Sequence, residues 1–158
     1  MDETYIKIKG VWHYLYRAVD KEGNAIDFML SEKRDEAAAN TFFIKAIDSS
    51  GIPEKVTIDK SGSNNAALKS INAQLIMLFL LGCVFMKIEV RQIKFLNNIV
   101  EQDPRGIKRI TKPMMGFKAF HSADATLSGI ELCRMLKKGQ HENAANSEAF
   151  EQFYALAG

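Results

Sequence analysis

The sequence predicts one mixed α/β domain, a five-stranded mixed sheet flanked by helices. Three observations carry that prediction. The first third alternates apolar and polar residues with a period of two, the next stretch changes to a helical period, and short strands and helices then alternate. Length agrees, because 158 residues can enclose one sizeable core. The balance of 47% hydrophobic to 25% charged residues excludes disordered and collagen-like chains.

Tyr5-Ile6-Lys7-Ile8-Lys9 alternates apolar with cationic side chains, as a half-buried strand does, and Gly10 ends it. Trp12 to Val19 is rich in aromatic and β-branched residues and reads as a second strand. Asp20 to Asn24 is turn chemistry, and Ala25 to Leu30 returns as a third strand, completing an antiparallel unit. From Arg34 to Asp48, Ala39, Phe42, Phe43, Ala46 and Ile47 share one face of a helix, which Ser49 to Pro53 ends. Lys55 to Ile58 is a short strand leading into Asp59. A polar turn follows, and a helix is expected to start near Asn64 or Asn65. Ile88 to Ile93 alternates again as a fifth strand. Asn97-Asn98 offers an N-cap for a helix running through Glu101, and Ser122 to Lys137 is a further helix. The tail after Gly139 is polar, then ends in Phe150, Phe153, Tyr154 and Leu156, which suits either a short amphipathic helix or a loose segment. The expected division is a core over 1–140 and a tail over 141–158. Three antiparallel strands followed by alternating helices and strands is the order of the ribonuclease-H-like fold.

A net charge of +2 is too small to argue for a nucleic-acid partner, but its distribution is uneven. Between Pro104 and Ser122 stand five cations, Arg105, Lys108, Arg109, Lys112 and Lys118, and no acid. Such a stretch can track a phosphate backbone, and a solvated cationic face explains it equally well. Cys83 and Cys133 lie far apart in apolar surroundings without metal-ligand spacing, which predicts buried thiols in a reducing compartment. His13, His121 and His141 are scattered and form no zinc set. No apolar signal region opens the chain. The longest apolar run, Leu75 to Met86, is shorter than the roughly 20 residues a membrane helix needs and is expected in the core. A cytoplasmic protein without a membrane partner is the expectation.

The carboxylates allow more than one reading. Asp59 stands where a strand ends, and in α/β sheets ligand sites gather at such ends. An Asp there also bonds its own turn. Glu101 falls at the third helical position after Asn98, as in a capping box, and has Arg105 four residues on as an ion-pair partner. Lys108 lies two turns beyond Glu101 on nearly the same face. That pairing suits a metal and a phosphate, and equally an ordinary solvated face. No spacing singles out Asp2.

Longer runs are more specific. MDETYIKIKG from Met1, WHYLYRAVD from Trp12, VTIDKSG from Val56, RQIKFLNNIVEQD from Arg91, IKR from Ile107 and MGFK from Met115 together resemble the core of bacterial transposases of the insertion-sequence-six type. The resemblance spans roughly residues 1 to 140. It implies a DDE nucleotidyltransferase with Asp2, Asp59 and Glu101 as catalytic residues and as ligands of two Mg²⁺ ions, with Mn²⁺ as a substitute. Asp2 would bridge the ions, with Asp59 on one and Glu101 on the other. Lys108 would contact donor phosphate, and Arg105, Arg109, Lys112 and Lys118 would extend the DNA track. The implied activity is strand cleavage and transfer in DNA transposition, recombination and integration. Its implied partners are double-stranded DNA, at transposon ends and targets, and a second copy in a homodimer.

Three departures from the family pattern are visible. The family carries a helix-turn-helix region upstream, whereas this chain begins one residue before Asp2, so recognition of element ends is expected to be lost. The interval from Asp59 to Glu101 holds 41 residues, several more than the family pattern, and the excess coincides with Leu75 to Met86, which reads equally as a buried strand or helix or as a drifted insertion that leaves an exposed apolar patch. Pro104 stands where the family has His. Together with Gly106 it is expected to kink the helix of Glu101 and Lys108, at about 3 kcal/mol for the proline and about 1 for the glycine. The alternative to an active enzyme is a truncated, non-catalytic remnant that folds and binds DNA or intact transposase. A nuclease that hydrolyses without strand transfer is a third reading.

Overall fold

A computed structural model describes residues 1–59, 62–82, 87–92, 104–140, 151 and 154, with residues 104 and 105 described in their backbone alone. Strand β1 (Asp2–Ile8) pairs antiparallel with β2 (Val11–Val19), setting Asp2 opposite Arg17 and Tyr5 opposite Tyr14. Their two-residue connection, Lys9-Gly10, has φ of 49° and 81°. Positive φ at both positions is the type I′ geometry whose twist matches a hairpin, and glycine takes the second at no steric cost. Strand β3 (Ala25–Ser31) pairs antiparallel along the other edge of β2.

The alternation read along β1 divides this meander into two buried faces. Ile6 and Ile8 join Leu15 and Leu30 in a cluster closed by Ile107, Ala123 and Leu127. On the other face Met1 and Tyr16 pack with Ala39, Phe42, Phe43, Leu68 and Ile71. Helices α1 (Glu36–Ser50) and α2 (Gly62–Leu80) cover this second face, and α3 (Pro104–Thr111) and α4 (Phe120–Lys137) cover the first. Asp35 caps α1 by accepting the Ala38 N–H at 2.9 Å, and Gly51 ends the helix at φ 82°. Strands β4 (Lys55–Ile58) and β5 (Glu89–Gln92) pair in parallel. The Asn72 amide of α2 braces the entry to β5, donating to the Ile88 carbonyl and accepting from the Ile88 N–H, both at 2.9 Å.

Three expectations change. The five strands form a three-stranded and a two-stranded sheet, not one five-stranded sheet. The ladder of β1 starts at Asp2, so its approach to β4 is the Met1 ammonium donating to the Thr57 carbonyl at 2.9 Å. Beyond that bond, Ala18 and Val19 line a mostly apolar cavity of about 560 Å³ together with Val56 and Thr57. Of the two readings of the run from Leu75, its described part follows the exposed one rather than the core. Leu75 is buried, but Ile76 to Leu81 are exposed on the last turns of α2, because an unbroken apolar run presents apolar residues on every face of a helix. Cys133 is exposed, not buried, because it lies on the outward side of α4 between buried Glu131 and Leu136. Pro104 is the first described residue of α3, and the residues before it, on which the expected kink depends, lie outside the described residues. Gly106 packs under the Arg134 guanidinium, whose Cζ would lie 3.4 Å from an added Cβ.

The expected helix through Glu101, the thiol Cys83 and nearly all of the tail lie outside the described residues. No helix among the described residues is long and apolar enough to cross a membrane.

Candidate functional site

Two of the three acids stand at the ends of strands that approach each other through the Met1–Thr57 bond. Asp2 is the first residue of the β1 ladder, and Asp59 directly follows β4, the neighbouring strand that the Met1 ammonium touches. Burial holds the Asp2 carboxyl above its usual range. The Glu3 N–H, the chain's ammonium and Lys108 pull it back down, while the Asp59 charge adds to the upward shift. Asp2, Asp59 and Lys108 therefore share one electrostatic neighbourhood. Glu101, expected to complete the set, lies outside the described residues. Arg105 falls in the first turn of α3, and Arg109, Lys112 and Lys118 are exposed on α3 and the segment after it.

Asp59 is oriented by residues that the sequence did not single out. Glu3 points to the opposite face of β1 from Asp2, as strand alternation requires, and its side chain is 3% exposed. There it accepts from Arg34 Nε at 2.5 Å and from Asn64 Nδ2 at 2.6 Å. Asn64 Nδ2 also reaches Asp59 Oδ1 at 3.4 Å, and Arg34 Nη2 lies 4.0 Å from Asp59 Oδ2. Arg34 further donates to the Tyr5 hydroxyl at 3.0 Å. Glu3 thus anchors an arginine and an amide that together aim the Asp59 carboxylate. One sequence signal was available, since Asn64 follows Asp59 by five residues and opens the first turn of α2.

The chemistry of the pair can be judged from its donors. Carboxylate oxygens are hard ligands of the kind Mg²⁺ prefers. Two such groups, one already disfavoured in its charged form by burial, gain from a shared cation. The donor chemistry of the pair is therefore of the kind a divalent ion takes. Among the described residues there is no group of three or more His, Cys, Asp and Glu that could hold a metal.

A known family, a DDE domain, matches residues 1–140. A Staphylococcus aureus protein named as the transposase for the insertion sequence-like element IS431mec is 40% identical over 141 residues. So is the transposase for insertion sequence element IS257 in transposon Tn4003 from the same species. These alignments cover 87% of this chain and 57% of each relative, so the chain spans little more than half their length. A solved simian T-cell lymphotropic virus intasome, in complex with the PP2A regulatory subunit B56 gamma, contains a chain that superposes with a TM-score of 0.57. At 15% identity, over 95% of this chain and 51% of that one, the likeness concerns the fold.

Proposed function

This chain belongs to the DDE-domain family of transposases, of the insertion-sequence-six type, and from that premise we propose that it is the catalytic core for DNA strand cleavage and transfer in transposition. The observation that carries the reading is that Asp2, at the head of β1, and Asp59, just after β4, bear on each other's charge across the Met1–Thr57 bond, with Lys108 acting on the same carboxyl. The likeness to a viral intasome chain supports a ribonuclease-H-like core, here with its sheet in two parts.

In this reading Asp2, Asp59 and Glu101 hold the metal over residues 1–140, and the tail over 141–158 is an appendage. Two Mg²⁺ ions, with Mn²⁺ as a substitute, supply charge neutralisation at the attacking and leaving oxygens and an activated water. The protein's own contribution is orientation. Arg34 and Asn64 fix the Asp59 carboxylate, with Glu3 holding both. Lys108 binds donor phosphate beside Asp2, and Arg105, Arg109, Lys112 and Lys118 continue the track along the duplex. The partners are double-stranded DNA, as transposon end and target, and a second copy of the chain in a homodimer. The working compartment is the cytoplasm.

The test is an assay of the purified chain with Mg²⁺ and linear DNA bearing candidate terminal repeats. Joined product that disappears in Asp59→Asn and Glu101→Gln supports the reading. DNA binding without product indicates the non-catalytic remnant, and nicking without joining indicates a nuclease.

A further inference from the structure

Beside the acid pair lies a concavity whose aromatic wall the proposed chemistry leaves unused. It holds about 410 Å³ along β1, with Tyr5, Lys7 and Trp12 of the hairpin on one wall and Lys108, Lys112 and Met115 on the other. Its aromatic rings face solvent. Trp12 is 54% exposed and Tyr5 46%, although the protein buries Tyr16, Phe42 and Phe43. Trp12 meets Tyr5 edge-on at 6.2 Å, and Tyr5 meets Tyr14 at 5.3 Å, so the rings form a ladder across β1 and β2. Lys7 Nζ stands 5.7 Å over the Trp12 ring. No acid lines the concavity, and its three charged groups are lysines.

The walls are fixed to each other. Lys9 donates to the Phe117 carbonyl and Phe117 to the Lys7 carbonyl, both at 2.8 Å. Gly116 sits at φ +100°, where an added Cβ would lie 3.0 Å from the Lys7 carbonyl oxygen. Only glycine lets the segment after α3 lie this close to β1. The groove is therefore set by the fold.

Exposed flat rings among ammonium groups suit a nucleotide, whose base stacks on the rings and whose phosphate pairs with the cations. A base inside a duplex cannot reach such rings, so the ligand is an unpaired nucleotide. Lys108 lines the groove and is the cation proposed to hold donor phosphate, so a nucleotide bound there flanks the reaction site. We propose that this groove binds an unpaired DNA nucleotide flanking the reaction site, with its base on Trp12 and Tyr5 and its phosphate between Lys108 and Lys112. The inference rests on the reading that the substrate is DNA.

Trp12 is the chain's single tryptophan, so its emission reports on the groove directly. The full chain is titrated without divalent ion against labelled oligothymidylate of about eight nucleotides and against a blunt duplex of equal length, following emission and label anisotropy together. The expected result is saturable quenching by the single strand and much less by the duplex at equal occupancy. Trp12→Ala and Tyr5→Ala should each weaken single-strand binding about tenfold, and Trp12→Phe should restore most of it. Absence of single-strand binding overturns the proposal. So does binding that leaves Trp12 emission unchanged, as expected if the groove instead takes a protein segment, or undiminished affinity in a folded Trp12→Ala. Asp59→Asn separates this inference from the catalytic reading, because it should abolish joining and leave the quenching intact.

Discussion

Asn64 shows how much of the site depends on one buried amide. It is 1% exposed, and its Nδ2 donates to Glu3 and reaches Asp59. Truncation to alanine leaves the nearly buried Glu3 carboxylate with Arg34 but without its amide donor. A hydrogen bond to a charged group contributes roughly 1.5–3 kcal/mol. Asn64→Ala should therefore lower unfolding free energy by about that much in urea titrations, and a loss under about 0.5 kcal/mol would contradict the assigned role. The contact joins residues 61 apart in sequence, which is why spacing did not reveal it. Asp59 was legible because a strand visibly ends there. Asp2 emerged only from resemblance, since a lone acid at the head of a strand has no local signature.

At the scale of elements, α1 offers a clean test of a local rule. Asp35 has extended backbone, φ −122° and ψ 176°, and its carboxylate accepts from Ala38. Replacing such a cap with alanine costs about 0.5–2 kcal/mol. Asp35→Ala should therefore lower the thermal midpoint with no change in the hairpin, and an unchanged midpoint would remove the cap from the account. Elements with a clear period were read well. β4 runs from Lys55 to Ile58 as expected, and α1 was displaced by two residues. The reading failed where local pattern is silent. The apolar run from Leu75 carries no period, so nothing in it distinguishes buried from exposed, and the structure leaves Leu80 78% exposed. Whether five strands join one sheet depends on the approach of β1 to β4, a long-range matter that each strand's own pattern leaves open.

On the scale of the whole molecule, α4 meets the meander through buried ionisable groups as well as through apolar packing. Glu131 is fully buried and lies 2.8 Å from Arg17 Nε on β2, while Arg134 Nη1 stands 3.7 Å from the same carboxylate and covers Gly106 of α3. Arg17 is also the cross-strand partner of Asp2, so this buried group ties α3 and α4 to the strand that opens the site. Burial raises the Glu131 carboxyl above its usual range, outweighing the opposite pull of Arg17 and Lys138. A carboxyl with a raised folded value binds its proton more tightly folded than unfolded. Its stabilising contribution is complete below the unfolded value of about 4.5 and is lost as pH climbs through the folded one. Glu131→Gln keeps the shape of the side chain and cannot titrate. From pH 4 to pH 7 the stability of the parent should therefore fall relative to the variant in paired denaturation curves, and parallel curves across that range would show that this carboxyl titrates alike in both states.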